Sequence, residues 1–318
     1  MSDLTAALQT AVSILDKQDI QTAVAALGKT VPSSDSRPIR LGDDCAAIPD
    51  GSGYLLLAAE GMWPQLVAQS PWFAGWCAIM VNLSDIAAMG GTPVAVVDVL
   101  WSPTPEASQP LWAGMQAAAT AYGISIVGGH TNCHSPYAGL AVTVLGRAEQ
   151  LITSFDARPG DVLMMAINLT GQYYQDYPFW NAATGTEPAQ LRAQLRQLPQ
   201  LAQSRLVRAG KDISMGGIVG TLLMLAEASG CGAVLQIEQI PRPPGVAWSK
   251  WLTSFPSFGF LLSVCAAQVA QVQQHMQQHG IACEPVGEII AENSVYLSYQ
   301  GEHQRLWDMT QPLTGFGA

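Results

Sequence analysis

Two aspartates stand side by side at Asp43 and Asp44, in Leu-Gly-Asp-Asp-Cys. Three further acids, Glu60, Asp85 and Asp212, sit among small residues at the ends of apolar segments. Adjacent carboxylates repel, so a fold leaves such a pair in water or supplies a cation. Asp85 lies within Asn-Leu-Ser-Asp-Ile-Ala-Ala-Met-Gly-Gly, a helical run of otherwise small and apolar residues. Burying a carboxylate on that face is costly unless something cationic meets it. Isolated acids of this kind, in a chain poor in ions, suit hard oxygen ligation of a divalent ion shared with phosphate groups. Helix caps and turns compete with that reading, and Asp161, just after Pro159-Gly160, is an ordinary turn acid.

Other clusters carry less chemistry. Gly28-Lys29-Thr30 has the ending of a phosphate-binding P-loop, but Ala23 stands where that loop needs glycine, and no strand precedes it. His275, His279 and Cys283 recur at helical spacing, yet Gly280 ends the helix before the third could line up. His130, Cys133 and His134 leave a zinc ion short of ligands, so a loop with ordinary polar roles accounts for them better.

Composition excludes several classes. Of 318 residues, 49% are hydrophobic and 12% charged, against roughly a quarter charged in ordinary soluble domains. The formal net charge is −10, with only 14 basic residues, and no basic stripe offers itself to a phosphate backbone. Nucleic acid is therefore not an expected partner. Mean hydropathy is +0.20, yet no stretch reaches the roughly 18 uninterrupted apolar residues of a membrane span. That surplus points to apolar surface hidden between subunits, hence at least a homodimer. The N-terminus lacks a basic segment followed by an apolar core, and the six scattered cysteines include no C-x-x-C pair. Both features fit reduced thiols and a cytoplasmic location.

The elements that must position these acids follow from hydrophobic periodicity and from Gly/Pro punctuation. Helices are expected over 3–28, 72–89, 105–122, 188–208, 216–229 and 266–279. Strands are expected near 54–59, 94–101, 124–129, 138–148, 161–167 and 232–237, with a Ser/Pro-rich loop at 31–40. Phe155-Asp-Ala-Arg-Pro-Gly-Asp reads as a fresh start. The chain is thus an α+β protein in two halves, with domains at 1–152 and 153–318.

Five ordered segments then carry a resemblance: GDDCAAI, VNLSDIAAMGGTPVAVV, VGGHT, ARPGDVLM and KDISMGGIVGTLLMLAEASGCGA. Together they resemble the superfamily of aminoimidazole ribonucleotide (AIR) synthetase, thiamine-monophosphate kinase, selenophosphate synthetase and the hydrogenase-maturation protein HypE. The chain looks most like the AIR-synthase-related proteins of unassigned activity. The resemblance implies a PurM-like two-domain fold. In that fold the N-terminal halves of two subunits form a shared β-barrel, each followed by a C-terminal α+β sandwich. It also implies ATP in the cleft between the halves, its phosphates held through Mg²⁺.

Carried over by motif, Asp44, Asp85 and Asp212 match magnesium aspartates, and Asp43 joins Asp44 at the phosphates. Glu60 stands where the family has aspartate, as a further metal candidate. Gly128, Gly129, His130 and Thr131 match the segment whose backbone approaches the nucleotide, and Asp212 also faces it. His130 and Lys211 are the catalytic candidates, as base and as cation; Arg37 and Arg40 are further cations within reach. Departures narrow the choice: His130 and Met215 replace acids of thiamine-monophosphate kinases, and Ser154 replaces their arginine. No cysteine precedes Cys45, as selenophosphate synthetase requires. The resemblance thus implies an ATP- and Mg²⁺-dependent enzyme that phosphorylates or activates a small-molecule oxygen, amide or similar nucleophile. The alternative is a non-catalytic nucleotide-binding or scaffold subunit serving a partner enzyme.

Overall fold

The computed structural model describes residues 1–33 and 37–317; residues 34–36 of the expected 31–40 loop lie outside the described residues. Three short helices open the chain, α1 (Ser2–Gln9), α2 (Val12–Leu15) and α3 (Ile20–Leu27), with a 3-10 turn at Asp16–Asp19. A small hairpin of β1 (Thr30–Val31) and β2 (Ile39–Arg40) follows.

The first large sheet contains β3 (Ala46–Asp50), β4 (Gly53–Gly61), β5 (Thr92–Trp101), β6 (Ile126–Asn132) and β7 (Gly139–Ala148). Its strand order is β3-β4-β7-β5-β6, with only β5 and β6 parallel. Between its strands run α4 (Pro64–Gln69), α5 (Pro71–Ala88) and α6 (Pro105–Tyr122). A proline begins each of the three, where its missing N–H costs nothing. Thr104 Oγ1 accepts from the Ala107 N–H to cap α6, and Gly123 ends it in the left-handed conformation. Helix α5 is buried along nearly its whole length, since it packs on the sheet, on α6 and on the second half.

The second half begins with β8 (Val162–Ile167), the short strands β9 (Gln172–Tyr173) and β10 (Phe179–Asn181), and helices α7 (Pro188–Leu195) and α8 (Gln197–Gln203). Then come β11 (Ala209–Asp212), α9 (Gly217–Ser229), β12 (Gly232–Gln236), α10 (Trp248–Trp251), β13 (Phe255–Pro256) and β14 (Gly259–Val264). Helix α11 (Val269–Gln277) and strands β15 (Ala282–Ile290), β16 (Ser294–Tyr299) and β17 (Glu302–Asp308) complete it. Seven strands pair in the order β11-β14-β8-β15-β12-β16-β17. One face of that sheet buries Leu163, Met165 and Leu261 against Ile218 and Leu222 of α9. The other buries Met164, Phe260 and Leu262 against Leu198, Val272 and Met276 of α8 and α11. Ala87 and Ala88, at the end of α5, belong to this second cluster and tie the halves together.

Two expected helices are broken. The run over 3–28 bends at Ala11, whose backbone is extended (φ −64°, ψ 120°). There α1 leaves its packing on β17 and α2 turns onto α9, so the chain follows the surface of the second half. The run over 188–208 breaks at Arg196 and stops at Gln203. Pro199 cannot donate to the carbonyl four residues back and crowds it, which interrupts the ladder. Of the rest of that stretch, Leu206 and Val207 are buried on the approach to β11. Among the described residues, no helix is long and apolar enough to cross a membrane.

Candidate functional site

Asp44 is presented by the tight loop before β3. Gly42 there adopts φ +101°, and a side chain on it would collide with Phe316, 2.3 Å from the position a Cβ would take. Only glycine fits such a place. Glu60 ends β4, Asp85 lies in the last turn of α5, and Lys211-Asp212 end β11. Four elements from both halves thus converge. Oxygens of Asp44, Asp85 and Asp212 all lie within 4.8 Å of one another.

The carboxylates differ in how they are satisfied. Asp44 accepts from Lys211 Nζ in a close ion pair and from the Asp212 backbone N–H at 3.2 Å. Asp43 points elsewhere: its oxygens accept from the Ser154 N–H at 3.0 Å and from the Ser154 hydroxyl. It ties the loop to the second half and stands outside the trio. Asp85 is 7% exposed, and its Oδ2 is buried without a hydrogen-bond partner. A buried carboxylate oxygen in that position costs stability unless a ligand meets it.

Electrostatics follow from this crowding. Burial pushes Asp212 up to about 8, with Asp44 adding to the rise. Burial, then Asp212 and Glu60, pushes Asp85 well above the usual carboxyl range. Asp43 is raised to about 6 by burial and by Asp44. Glu60 opens onto the chamber described below, yet the protein around it displaces enough water to raise it, with Lys17 opposing. Burial alone would push Lys211 down, but Asp44 and Asp43 outweigh it and hold the ammonium above its usual value. Three oxygen donor groups with one orphaned oxygen suit a hard divalent cation such as Mg²⁺.

The trio forms one wall of a chamber of about 820 Å³ between the two halves. Lys17 also lines it, from the 3-10 turn Asp16–Asp19, and its ammonium is pushed down by burial and by Lys211. Sequence reasoning missed Lys17, because a continuous helix over 3–28 gives no reason to aim it inward. The C-terminal stretch contributes Thr314 and Phe316. Glu227, buried on α9, accepts from the Leu313, Thr314 and Gly315 N–H groups and so holds that stretch in place. Of the expected residues, Asp43, Asp44, Glu60, Asp85, Lys211 and Asp212 all line the chamber.

Gly128, Gly129, His130 and Thr131 do not. They lie on β6, an exposed edge strand, and none lines the chamber within the chain. Arg37 and Arg40 are also elsewhere: Arg37 donates to the Gly51 carbonyl and lies over Tyr54, and Arg40 stacks on Phe155. His275 and His279 neighbour each other on and just past α11, outside the site.

Comparison with known proteins gives a consistent result. The model of "AIR synthase related protein, N-terminal domain" matches residues 42–148, and its C-terminal counterpart matches 158–300. An uncharacterized protein of Synechocystis sp. (strain ATCC 27184 / PCC 6803 / Kazusa) is 51% identical over 99% of this chain and 98% of its own. A selenide, water dikinase of Yersinia pestis is 26% identical over 79% of this chain and 83% of its own. Among solved structures, T. maritima PurL complexed with ADP superposes with a TM-score of 0.74 at 17% identity, over 85% of this chain. This chain spans about half of PurL, 46% of it. AaThiL complexed with AMPPCP and TMP gives 0.64 at 20% identity, over 82% of this chain and 88% of that one. The mixed α/β arrangement is therefore the PurM-like fold.

Proposed function

Because the chain belongs to the AIR synthase related family, we propose that it is an ATP-dependent enzyme acting on a small-molecule oxygen, amide or similar nucleophile. Its relatives include ATP-using kinases, among them a thiamine-monophosphate kinase of Synechococcus elongatus 29% identical over 66% of this chain. The observation that carries the reading is the convergence of Asp44, Asp85 and Asp212 on a chamber large enough for a nucleotide and a second small molecule. Asp44, Asp85 and Asp212 would hold Mg²⁺, with Glu60 at the rim. Bound there, the ion would neutralise phosphate charge. The acceptor's nucleophilic atom bonds to the γ-phosphorus while the bond to the β,γ-bridging oxygen breaks. ADP leaves with that electron pair, and the acceptor's proton passes to water in the chamber. Lys211 and Lys17 supply positive charge beside the transferred group.

The division at residues 152 and 153 follows from the same reading, with the nucleotide between the two parts. A homodimer with a shared barrel is supported by apolar side chains left exposed on the first sheet, Leu57, Val97 and Leu145. Such a partner is also the means by which Gly128–Thr131 would reach a nucleotide. Six free cysteines fit a cytoplasmic location. The scaffold reading has two observations in its favour: Lys211 already neutralises Asp44, and His130 stands away from the chamber.

Calorimetric titration with a non-hydrolysable ATP analogue tests the proposal. Binding is expected to require Mg²⁺ and to be lost in Asp85→Asn. A folded protein that binds nothing at millimolar nucleotide overturns it, and binding without turnover on any acceptor favours the scaffold.

A further inference from the structure

We propose that the acceptor is an uncharged molecule, carrying no phosphate of its own, with a flat aromatic or otherwise apolar body seated on a wall of rings opposite the carboxylates. This rests on the phosphoryl-transfer reading above and names its substrate class.

The chamber has two chemically distinct ends. At one stand the acids and the two lysines. Phe73 lies twelve residues before Asp85 on α5, about 18 Å away along the helix, and it lines the chamber together with Trp63, Phe179 and Phe255. These rings belong to a wider array drawn from both halves. Phe73 stacks on Tyr174, Tyr177 lies parallel to Phe179 with centroids 5.4 Å apart, and Phe255 meets Phe179 edge-on at 6.2 Å. Trp63 meets Tyr177 edge-on at 5.9 Å and is 42% exposed. Neighbouring rings thus hold the wall in place, so a flat ligand meets a preformed surface and loses little to reorganisation.

Charge argues against a phosphorylated or carboxylated acceptor. Among the described residues, Lys17 and Lys211 are the only basic side chains lining the chamber, and no arginine does so. Lys211 is committed to Asp44, and Lys17 faces Glu60, Asp212 and Asp44. A second anionic group would enter a lining that carries the acids Asp16, Asp43, Asp44, Glu60, Asp85 and Asp212, while the two lysines and the bound ion would already serve the ATP phosphates. Apart from the ion that would hold the ATP phosphates, a second phosphate would call for arginine or lysine aimed at it, and among the described residues the lining offers none beyond these two.

Several polar groups at the ring end are engaged within the chain. Asn181 Oδ1 accepts from the Ala183 and Thr184 N–H groups, and its amide nitrogen donates to the Thr184 hydroxyl. Ser257 Oγ accepts from the Ala182 N–H, and the Trp180 indole N–H donates to the Asn168 carbonyl. The ring end therefore offers mainly ring faces and methyl groups, with few hydrogen-bonding groups. An adenine, which is recognised through its ring nitrogens and amino group, finds few partners on that surface.

The test is a binding screen on the full chain, read by tryptophan fluorescence because Trp63 and Trp180 line the chamber. The probes are one- and two-ring aromatic alcohols and amides, each paired with its phosphate ester. Each is titrated with and without a saturating Mg²⁺–ATP analogue, whose own binding is measured separately by calorimetry. Neutral probes are expected to bind together with the nucleotide, and their phosphate esters at least about tenfold more weakly. Trp63→Ala and Phe255→Leu should each weaken the neutral probes about tenfold and leave nucleotide affinity within about twofold. Esters binding as tightly as alcohols, or no neutral probe binding, overturns the proposal while leaving the nucleotide reading intact. Competition between neutral probes and nucleotide, or lost nucleotide affinity in Phe255→Leu, assigns the wall to adenine and also overturns it. Failure of the nucleotide itself to bind overturns the underlying reading.

Discussion

Asp85 carries the clearest signature of an incomplete site, an oxygen enclosed by protein and met by no donor. Its neighbours in charge are Asp212, Glu60 and Asp44, with Lys211 opposing them. The sign of the pH dependence follows. Asp43 is raised from an ordinary 3.8 to about 6 and Asp212 from 3.8 to about 8. The native state thus keeps protons that the unfolded chain has released, so the metal-free protein loses stability as pH rises from about 4 to 8. Scanning calorimetry without metal should show Tm falling between pH 5 and 8. Added Mg²⁺ should restore it more strongly at pH 8 than at pH 5, because the ion takes the place of the protons. Asp85→Asn should flatten both trends and raise the Tm of the metal-free protein at pH 8. A Tm indifferent to pH and to Mg²⁺ would contradict the assignment. The acids were legible one by one in the sequence, since each sits where a charge is costly. Lys17 was not: its inward aim depends on a helix break that tertiary packing imposes.

Helix α5 delivers Asp85 to the chamber, and its position depends on a close crossing with α6. A Cβ on Gly114 would lie 1.9 Å from the Trp72 carbonyl oxygen, and one on Gly75 would lie 2.2 Å from that of Leu111. Both obstacles are backbone, so neither can rotate away. Gly114→Ala should cost about 2–3 kcal/mol and weaken Mg²⁺-dependent nucleotide binding by displacing Asp85. Gly139→Ala, where the nearest side chain is 3.5 Å away, should be close to neutral. Chemical denaturation of the two variants checks this, and equal stabilities would show that the crossing is not fixed by its glycines. Helices α5, α6 and α9 were readable within about a residue at each end, because each joins sustained periodicity to a stopping glycine or proline. The run over 188–208 was misread although Pro199 already marked its break. The run over 3–28 contains no such residue: its bend is set by what α1 and α2 cover, which local propensity does not encode.

At the scale of the whole molecule, the first sheet is finished on one side only. Val96, Leu100, Val142 and Val144 are buried under α5, whereas Leu57 pairs directly across from Leu145 on the opposite face, with Val97 nearby, and all three are exposed. Side chains on a strand alternate faces, so these residues form one apolar surface that the described residues leave exposed. The low charge content and positive mean hydropathy pointed to such a surface before any fold was known. The identity of its cover was not legible, because apolar composition looks the same beneath a helix and beneath a second subunit. If a second copy covers it, Leu145→Glu should place a carboxylate in the joint and shift the protein from dimer to monomer in sedimentation velocity. Helix α5, which carries Asp85, packs on the opposite face of the sheet, so the carboxylate cluster should remain folded. Binding then decides what the partner contributes. Should Gly128–Thr131 of one copy reach the nucleotide of the other, the monomer will bind the Mg²⁺–ATP analogue at least about tenfold more weakly than the dimer. Unchanged affinity in a proven monomer would make each chain's chamber self-sufficient and leave β6 a purely structural edge. A wild-type protein that sediments as a monomer would remove the shared barrel altogether.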